Sequence, residues 1–197
     1  MDFYQFARGV MKIYIHIFYR VNIQNIENVP KEGGCIVCSN HIHNLDPVII
    51  GTVISRQMSY MAKEELFKVK ILGTIIRKLG MFPVSRDSAD LSAIKNSLKL
   101  LNGGKILGIF PEGTRKKKGV THKAKPGLAM IAIKAKVPII PVTIISNYKL
   151  FSKITVKIGT PLTFDAYYDQ KLNVESYQEL SQKVMDQIES QIDYPIS

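Results

Sequence analysis

Short apolar runs alternate with longer helical runs along most of this chain, from about residue 34 onward. Strands that are separated by helices form a largely parallel sheet with helices packed on both faces. We therefore predict an α/β fold, in which a mostly parallel central sheet is covered by helices. Such sheets bind ligands beyond the carboxyl ends of their strands, so functional side chains are expected in the loops that follow strands.

The periodicity of the apolar residues predicts the individual elements. Strands are expected at residues 35–39, 58–61, 81–84, 105–110, 139–145 and 153–158. Helices are expected at residues 2–20, 47–55, 64–79, 89–101, 127–136 and 175–192. No repeat or low-complexity linker interrupts the pattern, so we predict an amphipathic helix over residues 1–20 and a single domain over residues 21–197.

The first 20 residues are amphipathic when drawn as a helix. Apolar side chains recur at helical spacing, at Phe3, Phe6, Ala7, Val10, Met11, Tyr14, Ile15 and Phe18. The other side carries Gln5, Arg8, Lys12, His16 and Arg20. This helix either packs on its own domain or lies in a membrane interface, with its basic residues at the headgroups. Both hold if it is seated on the domain with one edge in lipid, and its position outside the alternating pattern favours membrane contact.

The charge balance indicates anionic partners. Lys and Arg number 27 against 16 Asp and Glu, which gives a net charge of +11. Nucleic acid, acidic lipid, phosphorylated substrates and an acidic carrier protein all fit such a charge. The absence of Trp argues against stacking on single strands, and we expect no nucleic-acid partner. No signal-peptide pattern and no uncharged run of about 18 apolar residues occurs, so we expect a peripheral or monotopic protein.

A first loop with catalytic residue types follows the strand at 35–39, and it reads Asn-His-Ile-His-Asn-Leu-Asp-Pro. Four residues separate His41 from Asp46, so their side chains can meet across a turn. A carboxylate that accepts from one imidazole nitrogen leaves the other nitrogen as a general base. No G-x-S-x-G motif supplies a nucleophile, so the activated hydroxyl belongs to the substrate. An alternative and compatible role for Asp46 is to cap the helix that starts at Pro47.

A zinc site is the alternative for the same segment. Cys35, Cys38, His41, His43 and Asp46 lie within twelve residues. In a strand, however, Cys35 and Cys38 point to opposite faces and cannot chelate one ion. We therefore predict no metal site, and we expect His43 to be a loop residue or a neighbour of the catalytic pair.

A second loop, Phe-Pro-Glu-Gly-Thr-Arg at residues 110–115, follows the strand at 105–110 and precedes three lysines. Its glycine, hydroxyl and guanidinium suit a phosphate or a developing oxyanion. Glu112 fits better as a partner of a substrate hydroxyl or of Arg115. The alternative is a solvated surface loop. Arg86 ends another strand, at the sheet edge where both loops are expected.

These segments resemble the four ordered blocks of the PlsC-type glycerolipid acyltransferases. The matching blocks are Asn40-His41-x₄-Asp46, Gly80 to Arg86, Phe110-Pro-Glu-Gly-Thr-Arg115 and Val137-Pro-Ile-Ile-Pro-Val142. The family's α/β architecture agrees with the alternation described above. The chain departs from the usual pattern at His43, Ser85 and Lys116, and these changes make the expected site more basic.

The resemblance implies a reaction and a set of roles. His41, oriented by Asp46, would deprotonate the sn-2 hydroxyl of 1-acylglycerol-3-phosphate, which would then attack an activated acyl group. Arg86 and Arg115 would hold the acceptor phosphate, and Lys63 would assist in binding the phosphate or an oxyanion. The site that receives the phosphate would be shaped by Glu112, Gly113 and Thr114. No cofactor is expected. The acyl donor would be a carrier-protein thioester, acyl-CoA or an acyl phosphate.

The resemblance also implies phospholipid biosynthesis at the cytoplasmic face of the cell membrane, with an anionic lipid surface and, for one donor, an acyl carrier protein as partners. Three alternatives stay open at the level of sequence. They are an acyltransferase for another lysophospholipid, a non-catalytic basic domain that binds anionic lipid, and a metal-dependent hydrolase.

Overall fold

A computed structural model describes residues 2–85, 90–115 and 123–192 of the chain. The α-helices in this part are α1 (Phe3–Phe18), α2 (Asp46–Val53), α3 (Glu64–Lys68), α4 (Lys70–Lys78), α5 (Leu91–Asn102), α6 (Gly127–Ala135) and α7 (Val174–Ser190). The strands are β1 (Arg20–Gln24), β2 (Cys35–Ser39), β3 (Met58–Lys63), β4 (Phe82–Val84), β5 (Ile106–Ile109), β6 (Ile139–Ile145) and β7 (Lys153–Ile158). Short 3-10 turns lie at Ile26–Asn28 and Asp165–Tyr167.

The strands form one sheet of seven in the order β1-β7-β6-β2-β5-β3-β4. Strands β6, β2, β5, β3 and β4 pair in parallel, whereas β7 runs antiparallel to β6 and pairs in parallel with β1. The mostly parallel α/β sheet predicted from the sequence is confirmed. Its topology brings the carboxyl ends of β6, β2, β5 and β3 to one edge.

Helices cover both faces of the sheet. On one face, α1 and α2 pack through Ile15, Ile49 and Ile50 onto a cluster that includes Cys35. On the other face, helices α5, α6 and α7 contribute to a cluster that includes Cys38. Because side chains alternate along β2, its two cysteines lie in different clusters, as the sequence predicted.

Two parts of the predicted pattern were wrong. The helix expected at 64–79 is two helices, because Val69 is extended between α3 and α4. There Gly73 donates its N–H to Val69 at 2.6 Å and packs so closely on the Phe67 carbonyl that a side chain would collide with it. Strand β1 was not predicted at all, since it pairs with β7, more than 130 positions away.

Helix α1 is seated on the domain, but not by the side that the sequence pattern suggests. Tyr4 and Ile15 are buried, and Arg8 donates from Nε to Gly51 O and from a terminal nitrogen to Thr52 O. Arg8, expected among the residues that meet headgroups, instead binds carbonyls in the last turn of α2. A row of apolar side chains on α1 is exposed, and it comprises Phe6, Val10, Ile13, Tyr14 and Ile17.

Candidate active site

Two loops with the predicted catalytic and binding residues meet at the carboxyl edge of the sheet. The parallel register pairs Cys38 of β2 with Ile109 of β5, and three residues further along each strand stand His41 and Glu112. The backbone N–H of His41 donates to Oε1 of Glu112 at 3.3 Å. The neighbouring strand positions therefore bring the two loops into direct contact.

His41 and Asp46 form the expected pair. The distance from Nδ1 of His41 to Oδ2 of Asp46 is 2.8 Å, and the imidazole side chain is 18% exposed while the carboxylate is fully buried. Because an ionised carboxylate can only accept, Nδ1 carries the proton and Nε2 presents its lone pair. The pair is therefore arranged as a general base with an orienting carboxylate.

Backbone donors hold the carboxylate of Asp46 in place. Its Oδ2 also accepts from the N–H groups of Ile42 and His43, each at 2.7 Å. Asp46 is the first residue of α2, and Leu45 occupies the N-cap position before it. The capping role considered from the sequence is therefore wrong, because the carboxylate turns back into the loop that carries His41.

The second oxygen of Asp46 is bound by a residue from a distant part of the chain. The hydroxyl of Tyr148, in the loop after β6, donates to Oδ1. The Tyr148 ring stacks on His43, with ring centroids 4.2 Å apart and planes at 21°. His43 thus supports the loop through its ring and backbone, while its Nδ1 accepts from the Leu45 N–H at 3.3 Å.

An aromatic stack supports the His41 ring from the side of β5. His41 and Phe110 are stacked at 4.1 Å, with planes at 20°, and Phe110 is parallel to Tyr60 at 6.0 Å. A Cβ at Gly108 would lie 2.1 Å from the Tyr60 ring, so a glycine is required there. The stack limits rotation of the imidazole, which leaves it oriented toward Asp46.

Asn40 joins the first loop to β6. Its side-chain amide accepts from the N–H of Ile144 at 2.8 Å and donates to the Ile144 carbonyl at 2.9 Å. This pair of bonds is buried and replaces the strand pairing that ends at Ser39. The start of the catalytic loop is therefore fixed to the sheet.

The second loop turns sharply after β5. Gly113 adopts a positive φ of 69°, which favours glycine, and its N–H donates to the Phe110 carbonyl at 3.0 Å. The Lys125 side chain lies across Gly113, where a Cβ would come within 2.7 Å of its Cε. Glu112 is buried, whereas Thr114 and Arg115 are exposed. The loop thus presents a glycine backbone, a hydroxyl and two cations at the edge that carries His41.

Comparison with known proteins identifies the family of this chain. A family model described as Acyltransferase matches residues 20–145. The 1-acyl-sn-glycerol-3-phosphate acyltransferase of Bacillus subtilis is 36% identical over 81% of this chain and 82% of its own length. The chain belongs to the acyltransferase family.

The chain is also similar to a longer plant protein and to a solved structure. The chloroplastic 1-acyl-sn-glycerol-3-phosphate acyltransferase BAT2 of Brassica napus is 33% identical over 70% of this chain, which spans 41% of that relative. The crystal structure of the Thermotoga maritima 1-acyl-sn-glycerophosphate acyltransferase PlsC superposes with a TM-score of 0.70. That comparison covers 97% of this chain and 82% of the other at 23% identity, and it shows a shared fold.

The remaining predicted site residues of this acyltransferase are less closely tied to His41. Lys63 is exposed where β3 meets α3. It stands three residues beyond Tyr60, which pairs with Gly108, so it lies at the level of the second loop. Arg86 and the lysines at 116–118 lie outside the described residues. The roles given to these cations and to Gly113, Thr114 and Arg115 stay predictions.

Sequence reasoning missed the aromatic side chains of the site. The motif at residues 110–115 contains Phe110 but does not predict its stack on His41, and no local pattern marks Tyr60 or Tyr148. All three lie on or just after strands whose carboxyl ends form the active edge. A search of every such loop for polar and aromatic residues would have included Tyr148, although its contact with Asp46 depends on the strand order.

The cysteines of this acyltransferase are buried core residues. Burial raises the pKa of the Cys35 thiol to about 11 and that of Cys38 well above its ordinary value. Within residues 2–85, 90–115 and 123–192, no group of three or more His, Cys, Asp or Glu side chains is arranged to hold a metal ion. The two thiols face different sides of β2, which is the geometric reason they do not form part of one site.

Proposed function

We propose that this acyltransferase moves a fatty acyl group from an activated donor to the sn-2 hydroxyl of 1-acyl-sn-glycerol-3-phosphate, which gives phosphatidic acid. The observation that carries the proposal is the 2.8 Å contact between His41 Nδ1 and Asp46 Oδ2. The names of the Bacillus and Brassica relatives support the choice of acceptor.

The proposed reaction needs one base and one anion-binding loop. Nε2 of His41 takes the proton from the acceptor hydroxyl as that oxygen attacks the acyl carbonyl. The tetrahedral adduct then collapses, and the imidazolium returns the proton to the departing thiolate or phosphate. Positioned general bases contribute about 10²–10⁴-fold in rate, so correct orientation of the acceptor supplies much of the remainder.

Cations near the second loop are proposed to orient the acceptor through its phosphate. Arg115, Lys63 and Arg86 supply the charge, and Gly113 and Thr114 supply a backbone approach and a hydroxyl. Glu112 has a supporting role in this proposal. Its buried carboxylate accepts a hydrogen bond from the His41 N–H and so holds the loop that carries His41 against the second loop. A bidentate guanidinium suits a phosphate better than an ammonium does.

The test is a transfer assay with purified protein, lysophosphatidic acid and each of three donors in turn: acyl carrier protein thioester, acyl-CoA and acyl phosphate. His41→Ala is expected to lower kcat by about 10³-fold or more. His43→Ala is the matched control and is expected to retain activity within about 10-fold, because His43 does not touch Asp46 through its ring. Equal losses in both variants, or full activity of His41→Ala, would contradict the proposal.

Lysophosphatidylglycerol supplies the competing acceptor. We expect turnover with lysophosphatidic acid to exceed turnover with lysophosphatidylglycerol, because a phosphate monoester carries more charge for the cations to bind. A reversed preference would leave the acyltransferase activity in place and identify lysophosphatidylglycerol as the better acceptor.

We also propose that the enzyme binds the membrane from the cytoplasmic side, through α1 and α4. The two helices meet where the Lys78 ammonium lies 5.4 Å from the Phe3 ring centroid. Apolar side chains on both are exposed, including Phe6 at 58% and Ile71 at 78%. Basic residues of α4 flank them, and exposed apolar side chains beside basic ones are typical of interfacial helices. No helix in the described part of the chain has the length and apolar character that a bilayer crossing requires.

Vesicle flotation tests this surface. Ile13→Ser and Ile71→Ser together are expected to lower partitioning onto phosphatidylglycerol vesicles by about 10-fold or more, since each loses buried apolar area in the bilayer. Val174→Ser is the control, because Val174 is also apolar and is 55% exposed but lies on α7, on the other face of the sheet. Unchanged flotation of the double variant would reject the surface.

A further inference from the structure

The loop after β6 brings a tyrosine to the proposed catalytic pair. We propose that Tyr148 is a positioning residue, which acts through Asp46 to keep the His41 ring in its reactive orientation. The inference rests on the proposed function, since it assigns a role in catalysis by His41 and Asp46. It adds a residue that neither the motif spacing nor the anion-binding loop contains.

The two oxygens of Asp46 are held from different parts of the chain. Oδ2 accepts from His41 Nδ1, Ile42 N and His43 N, all of which belong to the loop that precedes α2. Oδ1 accepts from the Tyr148 hydroxyl, 102 positions away. The local bonds set one oxygen, and the tyrosine fixes the rotation of the carboxylate plane around it.

The tyrosine is itself held in a defined position. Its backbone φ is 54°, a left-handed conformation that is uncommon for a residue with a large side chain, and its N–H donates to Oγ of Ser146 at 3.0 Å. Its ring lies between His43, stacked at 4.2 Å, and Tyr19, edge-on at 6.3 Å. Unusual backbone conformations persist where surrounding contacts over-determine them, and they cluster at functional sites.

The hydroxyl is a permanent donor. Burial raises the pKa of Tyr148, and the neighbouring charge of Asp46 raises it further. The phenol therefore stays protonated over the working pH range of an imidazole base, and its hydrogen bond to the carboxylate does not switch off. A donor of this kind keeps the carboxylate of Asp46 directed at Nδ1 of His41.

Tyr148→Phe tests the inference because it removes the hydroxyl and keeps the ring. We expect kcat to fall by about 10-fold, the cost typical of one hydrogen bond to a charged group, while KM for lysophosphatidic acid stays within about 2-fold. The acidic limb of the kcat/KM profile should move to higher pH, because a carboxylate with fewer donors protonates more readily and also holds the imidazolium proton more strongly. Tyr19→Phe is the control. It removes a hydroxyl from the ring that packs edge-on against Tyr148, and it should leave kcat and the pH profile unchanged.

A double-mutant cycle identifies the route of the effect. In an Asp46→Asn background, Tyr148→Phe should change kcat by less than about 2-fold, because the tyrosine then has no carboxylate to position. The Nδ1 proton of His41 in the ¹H NMR spectrum gives a second readout, and it should shift in Tyr148→Phe and not in Tyr19→Phe. Assays run well below the melting temperature of each variant separate loss of orientation from unfolding.

Three outcomes overturn the inference. They are unchanged kcat and pH profile in Tyr148→Phe, a rise in KM with unchanged kcat, and equal effects of Tyr148→Phe in the wild-type and Asp46→Asn backgrounds. Each can occur while His41→Ala is inactive, in which case the proposed function stands and Tyr148 alone is excluded. An active His41→Ala variant would instead remove the proposed function itself.

Discussion

Helices α1 and α7 have similar lengths, 16 and 17 residues, and both are amphipathic, yet they use their apolar sides in opposite ways. Helix α7 packs on β6, and its apolar residues Tyr177, Leu180, Val184, Met185 and Ile188 are buried, whereas Val174 at its first position is exposed. Helix α1 packs on α2, and five of its apolar residues stay exposed. Amphipathic spacing therefore identifies an apolar side, but not what covers it.

The difference follows from what each helix rests on. Helix α7 lies against the apolar face of the sheet, so burial of its isoleucine and valine side chains stabilises the fold. Helix α1 rests mainly on α2 and reaches the core cluster through Ile15, and two hydrogen bonds from Arg8 to the last turn of α2 help to hold it there. Its exposed apolar row contributes little to folding and is available for a lipid surface.

The largest expected effect is a difference in stability when an isoleucine is replaced by alanine in each of the two helices. Ile188→Ala should lower the free energy of unfolding by about 2–5 kcal/mol, because it leaves a cavity in the core. Ile13→Ala should change it by less than about 0.5 kcal/mol, since that side chain is 64% exposed. Urea denaturation followed by circular dichroism measures both, and equal costs would mean that the α1 row is covered in solution.

A smaller effect is expected at the seat of α1. Arg8→Met keeps most of the side-chain stem but removes both hydrogen bonds to the carbonyls of α2, and we expect a loss of about 2 kcal/mol. Hydrogen exchange of the α1 amides should accelerate more than that of the α7 amides. Lys12→Met, one turn further along and exposed, is the control. If Arg8→Met behaves like Lys12→Met, the hydrogen bonds of Arg8 to α2 do not hold α1 on the domain.

The smallest expected effect concerns Cys35 and Cys38, which point to opposite faces of the sheet. Burial raises the pKa of both thiols, with Cys35 at about 11 against an ordinary value of 9.0. Their contribution to stability is complete below pH 9. It declines as the pH rises toward 11, because unfolded thiols then ionise, at about 1.4 kcal/mol per pH unit for each thiol.

The free energy of unfolding should be measured between about pH 8 and 10.5, a range chosen around the ordinary thiol pKa of 9.0. In Cys35→Ala and in Cys38→Ala, the decline of this free energy with pH should be smaller by the contribution of one thiol. Equal slopes would indicate that α1 and α2 cover their face as firmly as α5, α6 and α7 cover the other. A smaller slope for Cys35 would indicate that the α1 side opens in the folded protein.

Most of the fold could be predicted from local patterns. The strands at 35–39, 139–145 and 153–158 have the predicted bounds. The first two are continuous apolar runs, which are typical of strands buried on both faces, and the third alternates as a half-buried strand does. The break at Val69 and the strand at Arg20–Gln24 could not be predicted, since one depends on the close approach of Gly73 to Phe67 and the other on pairing with β7. The division between residues 1–20 and 21–197 stays a prediction.

The candidate site was predictable only where its residues are close in sequence. His41 and Asp46 could be paired from their spacing, and the contact is present at 2.8 Å. The link from His41 N to Glu112 and the bond from Tyr148 to Asp46 cross 71 and 102 positions, so no local pattern contains them.

By itself, the sequence determined the alternation of strands and helices, the opposite directions of Cys35 and Cys38, and the pairing of His41 with Asp46. These features depend on periods and spacings of a few residues. The tertiary structure decided which loops meet, that Tyr148 binds Asp46, and that the apolar row of α1 faces outward. These depend on strand order and on how the helices pack, and both are set by burial over the whole domain.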